Sequence, residues 1–205
     1  MKEKITAIKN WLGTGSVNIF GLPMSGKDTQ GVRLAEAIGG KFLSSGMIIR
    51  AANEQNQTNF SNDGTLAPTD VFYDLVLPYF NLEELKPFPL VLSSIGRWSG
   101  EENAVMESAE NSGHEIKAAI VLNVSEAEIM ERWDESHTLG DRGERPDDMK
   151  PEVFQTRIQE FCEKTLPVLQ HYRELGKLVE VSASASRDEV FSNLIEQLYK
   201  FSKNH

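Results

Sequence analysis

At 205 residues, with 40% hydrophobic and 25% charged side chains, the chain has the size and composition of one globular domain able to bury a core. A formal charge of −10 and a pI near 4.9 exclude general attraction to nucleic acid or anionic membrane. A single cysteine, Cys162, excludes an internal disulfide framework and suits a reducing cytoplasm, and no segment approaches the roughly 18 apolar residues of a membrane span.

From the N-terminus, Ile5, Ile8, Trp11 and Leu12 share one side of a helix that packs on the domain and lacks a signal-peptide core. Val17-Asn18-Ile19-Phe20 reads as a buried strand, and after Gly31 the apolar residues Leu34, Ala35 and Ile38 return at helical spacing. Four further strands are expected at 41–43, 89–92, 118–124 and 178–181, each separated from the next by helix-forming sequence. Near-continuous apolar runs alternating with helices predict an α/β fold, a five-stranded parallel sheet covered on both faces. Two stretches interrupt the alternation. Residues 53–63 are rich in Asn and Gln with little to bury, and residues 134–148 form a charged, Gly-containing connection of the length expected for a functional lid. A helix opens at Pro151, with a kink expected at Pro167 and a stop at Gly176. Within it, Cys162 beside Phe161 is expected to be buried packing.

Between the first strand and the first central helix lies Gly21-Leu22-Pro23-Met24-Ser25-Gly26-Lys27-Asp28-Thr29-Gln30. Strand, glycine-bearing loop ending in Gly-Lys, and helix is the phosphate-binding P-loop arrangement. Glycines allow successive backbone N–H groups to turn toward an anion, the helix N-terminus adds its positive end, and Lys27 brings a point charge to the outer phosphates. Where a P-loop normally has Ser or Thr after the lysine, this chain has Asp28. A carboxylate there repels phosphate unless it faces a metal ion or another cation. Six of the nine arginines (Arg50, Arg97, Arg132, Arg142, Arg145 and Arg157) fall in or beside loops after strands or at a helix start, a local basic pocket on an acidic protein that suits a small polyanion.

The loop resembles that of the adenylate kinase family, glycine-x-proline-glycine-x-glycine-lysine-glycine-threonine-glutamine. Gly21, Pro23, Gly26, Lys27, Thr29 and Gln30 match, and Met24 and Asp28 replace glycines. Four more stretches resemble that family and its nucleoside monophosphate kinase relatives, in the same order. Ser44-Ser45-Gly46-Met47-Ile48-Ile49-Arg50 resembles the segment whose arginine holds the monophosphate, with Ser45 near the base. Gly64-Thr65-Leu66-Ala67-Pro68 resembles the turn that contacts the acceptor base. Leu92-Ser93-Ser94-Ile95-Gly96-Arg97 resembles the stretch bearing the second monophosphate arginine, which places Glu101 where the family reads adenine with glutamine. Arg145-Pro146-Asp147-Asp148, followed by Arg157, resembles the lid exit, and Arg132 matches the arginine that packs on the donor adenine.

The resemblance implies a three-layer P-loop kinase over residues 1–205, an acceptor-binding insertion at 44–80 and a short lid at 133–147 without zinc. It implies ATP as co-substrate, Mg²⁺ held through phosphates and water, a monomer, and reversible phosphoryl transfer to a nucleoside monophosphate, AMP before others. ATP would meet Met24, Ser25, Gly26, Lys27, Asp28, Thr29, Arg132 and Ala185. The acceptor would meet Ser45, Gly46, Arg50, Thr65, Leu66, Ala67, Ser94, Arg97 and Glu101. Catalysis would fall to Lys27, Arg97, Arg132, Arg145 and Arg157, which align and neutralise an already anionic nucleophile so that no general base is needed.

Three departures qualify these expectations. Met47 and Ser93 stand where the family has aspartates near the metal, so Asp28 becomes the candidate metal carboxylate. The stretch from Arg50 to Gly64 is shorter than in relatives. Glu101 accepts hydrogen bonds but cannot donate one, which favours an amino-bearing base edge, as in guanine or cytosine, or adenine held differently. The competing expectation is a degenerate relative that binds nucleotide as a sensor or partner module. A kinase with a non-nucleotide acceptor is a third.

Overall fold

The structure, a computed structural model, describes residues 1–139 and 150–205, with the side chains of 137–139 left aside. Arg142, Arg145, Asp147 and Asp148, and with them most of the expected lid, lie outside the described residues. Five strands form as expected: β1 (Ser16–Gly21), β2 (Lys41–Ser44), β3 (Leu90–Ser93), β4 (Ile116–Asn123) and β5 (Leu178–Ser182). All pair in parallel in the order β2-β3-β1-β4-β5. β1 is central and buried at every position, which explains its unbroken apolar reading.

The helices are α1 (Lys2–Leu12), α2 (Lys27–Ile38), α3 (Ser45–Asn56), α4 (Thr69–Val76), α5 (Glu101–Asn111), α6 (Glu126–Leu139), α7 (Pro151–Glu160), α8 (Leu166–Glu174) and α9 (Arg187–Ser202). Alternate strand residues face opposite layers. Val17 and Ile19 of β1 pack with Ile8 and Leu12 of α1, Leu34 and Ile38 of α2 and Leu194 and Leu198 of α9. Phe20 of β1 packs on the other face with Ile48 and Ile49 of α3, Phe72 of α4, Val105 of α5 and Leu169 and Tyr172 of α8. Burying each of these large apolar side chains contributes about 1.5–3 kcal/mol. The adjacent strands β1 and β3 thus send their helices to opposite faces, and a crevice opens beyond their C-terminal ends, where ligands of such sheets bind.

Four local expectations are corrected. The connection expected from Asp134 begins later, because α6 continues to Leu139. The stretch 53–63 is not simply open loop. α3 runs through Asn56, and buried Asn53 holds the following turn, accepting from the Thr58 hydroxyl and the Phe60 amide and donating to the Phe60 carbonyl at 2.8 Å. The break expected at Pro167 comes earlier, as a π-helical turn at Phe161–Thr165 after which Pro167 sits in the first turn of α8, where its missing N–H costs nothing. That wider turn buries Phe161 and Thr165 and leaves Cys162 exposed rather than packed. Partial burial, then Glu126 and Glu163, push its thiol above the ordinary range. Among the described residues, no helix is long and apolar enough to cross a membrane.

Candidate active site

The loop after β1 turns tightly because Gly21 has no side chain: a Cβ there would lie 2.5 Å from the Ser25 hydroxyl. Gly26, at φ 85°, caps α2, so Lys27 opens the helix at the crevice, where the positive end of the helix dipole lies. Met24 adopts φ 63°, the left-handed region that glycine enters more readily. Its side chain packs against Ile129 of α6 and Phe154 and Ile158 of α7, and that contact supports the strained backbone. The Ser25 hydroxyl is buried without a partner among the described residues.

The loop after β3 is held from three sides. Asn18, buried in β1, donates to the Ile95 carbonyl at 2.7 Å. The Ser94 amide donates to the Ile19 carbonyl at 2.9 Å, and the Ser45 hydroxyl donates to the Ser94 carbonyl at 2.7 Å. Glu101, 3% exposed at the start of α5, completes the clamp: one oxygen accepts from the Arg97 and Trp98 amides at 2.9 and 3.0 Å and the other from the Thr69 hydroxyl at 2.8 Å. Both carboxylate oxygens are therefore engaged within the chain, and Ser45 too is committed to positioning the loop.

The clamp delivers Arg97 to the cleft. Its Nε–H is shut from solvent and has no partner among the described residues. Burial, and after it the like charge of Arg157, pull the guanidinium down to about 10, against the opposing pull of Glu160, Glu101 and Asp28. It remains a full cation at neutral pH, in a place where an arriving anion relieves the cost of its burial.

One cleft, about 990 Å³ counted out to open solvent, is lined by Lys27 and Asp28 of α2, Ser45, Gly46 and Arg50 of α3, Thr65, Leu66 and Ala67, Ser93 and Ser94, Arg97, Glu101 and Arg157. Its size suits a small-molecule site. Four cations and two carboxylates give it a positive balance on a protein of charge −10. Phe60, Leu66 and Phe72 supply an apolar wall. A second cleft, of about 940 Å³, adjoins the other side of the P-loop and is lined by Met24, Ser25, Gly26, Thr29, Arg132 and Ala185 among others. There the Arg132 guanidinium bridges the Met24 carbonyl at 3.2 Å and the Ala183 carbonyl at 2.6 Å, joining the P-loop to the loop after β5. Every described residue of the expected nucleotide sites thus lines one cleft or the other. Met47 does not join them and is 54% exposed.

Four contributors escaped sequence reasoning. Asn18 was visible only as a polar residue in an otherwise apolar strand. Thr69 anchors Glu101. Trp98 lines the cleft beneath Lys164, whose ammonium lies 4.0 Å from the indole centroid. Buried Glu160 of α7 accepts from the Leu66 amide at 3.0 Å and pairs with Lys164 at 2.6 Å, fastening the turn at 64–68 to the helix that carries Arg157. No sequence pattern links residues so far apart.

These clefts set a P-loop between two small-molecule-sized spaces, with Arg50, Arg97 and Arg157 in one and Arg132 in the other, and known proteins resemble the chain along most of its length. The chain is 30% identical over 190 residues to the adenylate kinase of Mycobacterium tuberculosis (strain ATCC 25618 / H37Rv), covering 90% of this chain and 99% of that one. The chain belongs to the adenylate kinase family. The adenylate kinase of Caulobacter sp. (strain K31) is 31% identical over 185 residues, covering 86% of this chain and 94% of that protein, and that of Chlamydia pneumoniae is 26% identical over 218 residues. No family model matches the chain. A gluconokinase structure from Sinorhizobium meliloti 1021 shares the fold, with a TM-score of 0.61 over 94% of this chain and 95% of that one, at 21% identity. This adenylate kinase family member is a phosphotransferase of the nucleotide kinase type.

Gly64 shows how closely the turn at 64–68 is docked. It sits at φ +89°, and a Cβ would lie 2.5 Å from the Val153 carbonyl of α7. Gly64→Ala is expected to push the turn from α7 at a cost of about 1–2 kcal/mol of stability. Thermal unfolding checks this; a melting temperature within about 1 °C of the unaltered protein would refute it.

Proposed function

We propose that the chain is an ATP-dependent nucleoside monophosphate kinase that transfers the terminal phosphoryl group of ATP reversibly to AMP, giving two ADP. The observation that supports this reading is the convergence of Lys27, Arg50, Arg97 and Arg157, from separate elements, on one cleft beside a second nucleotide-sized cleft across the P-loop. In this reading Lys27 and the amides of the P-loop hold the outer phosphates of ATP, and Thr29 and Ala185 lie beside the donor. Arg132 offers a face to the adenine, which it can stack upon while still gripping its two carbonyls. Arg50 and Arg97 grip the monophosphate, and Arg157, joined by Arg145, neutralises the phosphoryl group in transit. Mg²⁺ supplies charge neutralisation between the phosphates when bound. Residues 44–80 serve as the acceptor module and 133–147 as the lid.

The base is read by the turn at Thr65, Leu66 and Ala67 and by the apolar wall of Phe60 and Phe72. Glu101 acts first as the residue that positions Arg97, because its oxygens already accept three bonds. Its remaining acceptor capacity suits an amino-bearing edge, which adenine, guanine and cytosine all present. In this reading the enzyme works as a monomer in the cytoplasm, which its single cysteine suits.

A coupled assay of ADP formation with ATP and Mg²⁺, run separately with AMP, GMP, CMP, UMP and dTMP, tests the reading. AMP is expected to give the highest kcat/KM. A different best acceptor would move the assignment to that base. Absence of turnover with all five, while ATP still raises the melting temperature, would favour the nucleotide-binding sensor, the reading to which Met24, Met47 and Ser93 lend weight.

A further inference from the structure

We propose that Glu102 and His171 are a pair of positioning residues that hold the Arg97 loop in register with the helix bearing Arg157. This rests on the kinase reading and adds to it two residues that line neither cleft. Glu102 is the second residue of α5 and only 3% exposed, although a carboxylate at a helix start is equally well placed in water. Its two oxygens serve different parts of the fold. Oε2 accepts from the Gly100 amide at 2.6 Å, and Oε1 accepts from His171 Nδ1–H at 2.8 Å. The neighbouring Glu101 ties the Arg97 and Trp98 amides to Thr69 of α4. Glu102 ties the far end of the same loop to α8.

His171 stands on firm support. Tyr172 beside it is wholly buried, its ring centroid 6.0 Å from that of Phe20 in β1, and Val168 and Leu169 are buried with it. Through the π-helical turn, α8 continues from α7, which carries Arg157 and whose Glu160 holds the Leu66 amide. The bond from His171 to Glu102 therefore closes a frame that runs from the Arg97 loop through α5, α8 and α7 to Arg157. That frame has a load to bear, because Arg97 and Arg157 carry like charges on one cleft and repel each other until an anion arrives. A carboxylate so deeply buried is costly to leave with half its partners, so the orientation of Glu102 depends on the ring.

The test uses His171→Ala, His171→Asn and Glu102→Gln in the full-length protein. Asn sets an amide N–H where the ring Nδ1–H stood, and Gln keeps the shape of the glutamate. Hydrogen exchange over residues 96–100, the coupled assay with AMP, and calorimetric binding of a nonhydrolysable ATP analogue are compared. His171→Ala is expected to speed exchange at the Arg97, Trp98 and Gly100 amides by about tenfold. It should lower kcat by about tenfold and raise the KM for AMP severalfold, with affinity for the ATP analogue changed by less than about twofold. His171→Asn should recover kcat to within about threefold of the unaltered protein. Glu102→Gln should cost as much as His171→Ala, and the two together no more than either, as for groups that act as a unit.

A lowered melting temperature in His171→Ala with exchange, kcat and KM unchanged would overturn the proposal and leave the pair a structural contact. Additive losses in the double substitution would overturn it too. An unaltered protein that turns over no monophosphate would remove the kinase reading, whereas exchange at 96–100 that ignores His171→Ala would remove the pair.

Discussion

Replacing Arg97 by methionine is expected to raise the melting temperature while removing phosphoryl transfer to any monophosphate. Arg97 is half-buried as a residue, but its Nε–H is enclosed and lacks a partner among the described residues. Burial and the charge of Arg157 hold its folded-state value near 10, below the ordinary arginine range. A base with a lowered folded-state value charges the fold for its protonation. That cost is present in full at neutral pH and shrinks as pH rises through about 10. Methionine has similar reach and no charge, so the substitution should stabilise the empty protein by about 1–2 kcal/mol, or about 2–6 °C. In the proposed reading acceptor kcat/KM falls by about 10³-fold or more, because Arg97's bidentate grip on the monophosphate is lost at the point where charge moves. Calorimetry and the coupled assay read the two effects separately. A melting temperature lowered by several degrees would instead make Arg97, with Glu101 and Glu160, a structural ion cluster.

Lys27→Ala is expected to reduce kcat by about 10³-fold with the melting temperature within about 2 °C of the parent. Lys27 is the first residue of α2, half-buried, with no apolar core position of its own. A cation at a helix N-terminus opposes the helix dipole, so its removal does not weaken α2. In the proposed reading its contribution is charge on the outer phosphates, which the loop amides supply only in part. The assay is the coupled one, at saturating ATP. A loss of less than tenfold would show that the amides and arginines suffice.

The fold was open to a reading of the chain because a parallel sheet covered on both faces leaves continuous apolar runs, and all five appeared within one or two residues of their observed limits. The P-loop was equally plain, since its chemistry demands consecutive residues. What stayed hidden depends on distance. Ser93 and Asp28 meet across 65 positions, and Glu160 reaches the Leu66 amide across 94. Glu101 looked like a base reader because its place along the chain suggested it; only the three-dimensional clamp reveals that its oxygens hold Arg97, Trp98 and Thr69. Cys162 was misjudged because a π-turn adds a residue to the helical repeat and shifts which side faces inward, and periodicity of 3.6 residues carries no sign of such an insertion.

That same turn places the chain's single thiol on the outer surface of the joint between α7 and α8. α7 packs against Ile129 and carries Arg157, whereas α8 belongs to the core beneath the sheet. A probe attached to Cys162 stands outside both clefts, on the π-helical turn that joins α7 to α8. With no second cysteine to compete, mildly alkaline maleimide chemistry, chosen to offset the raised thiol pKa, labels the native chain at this one site.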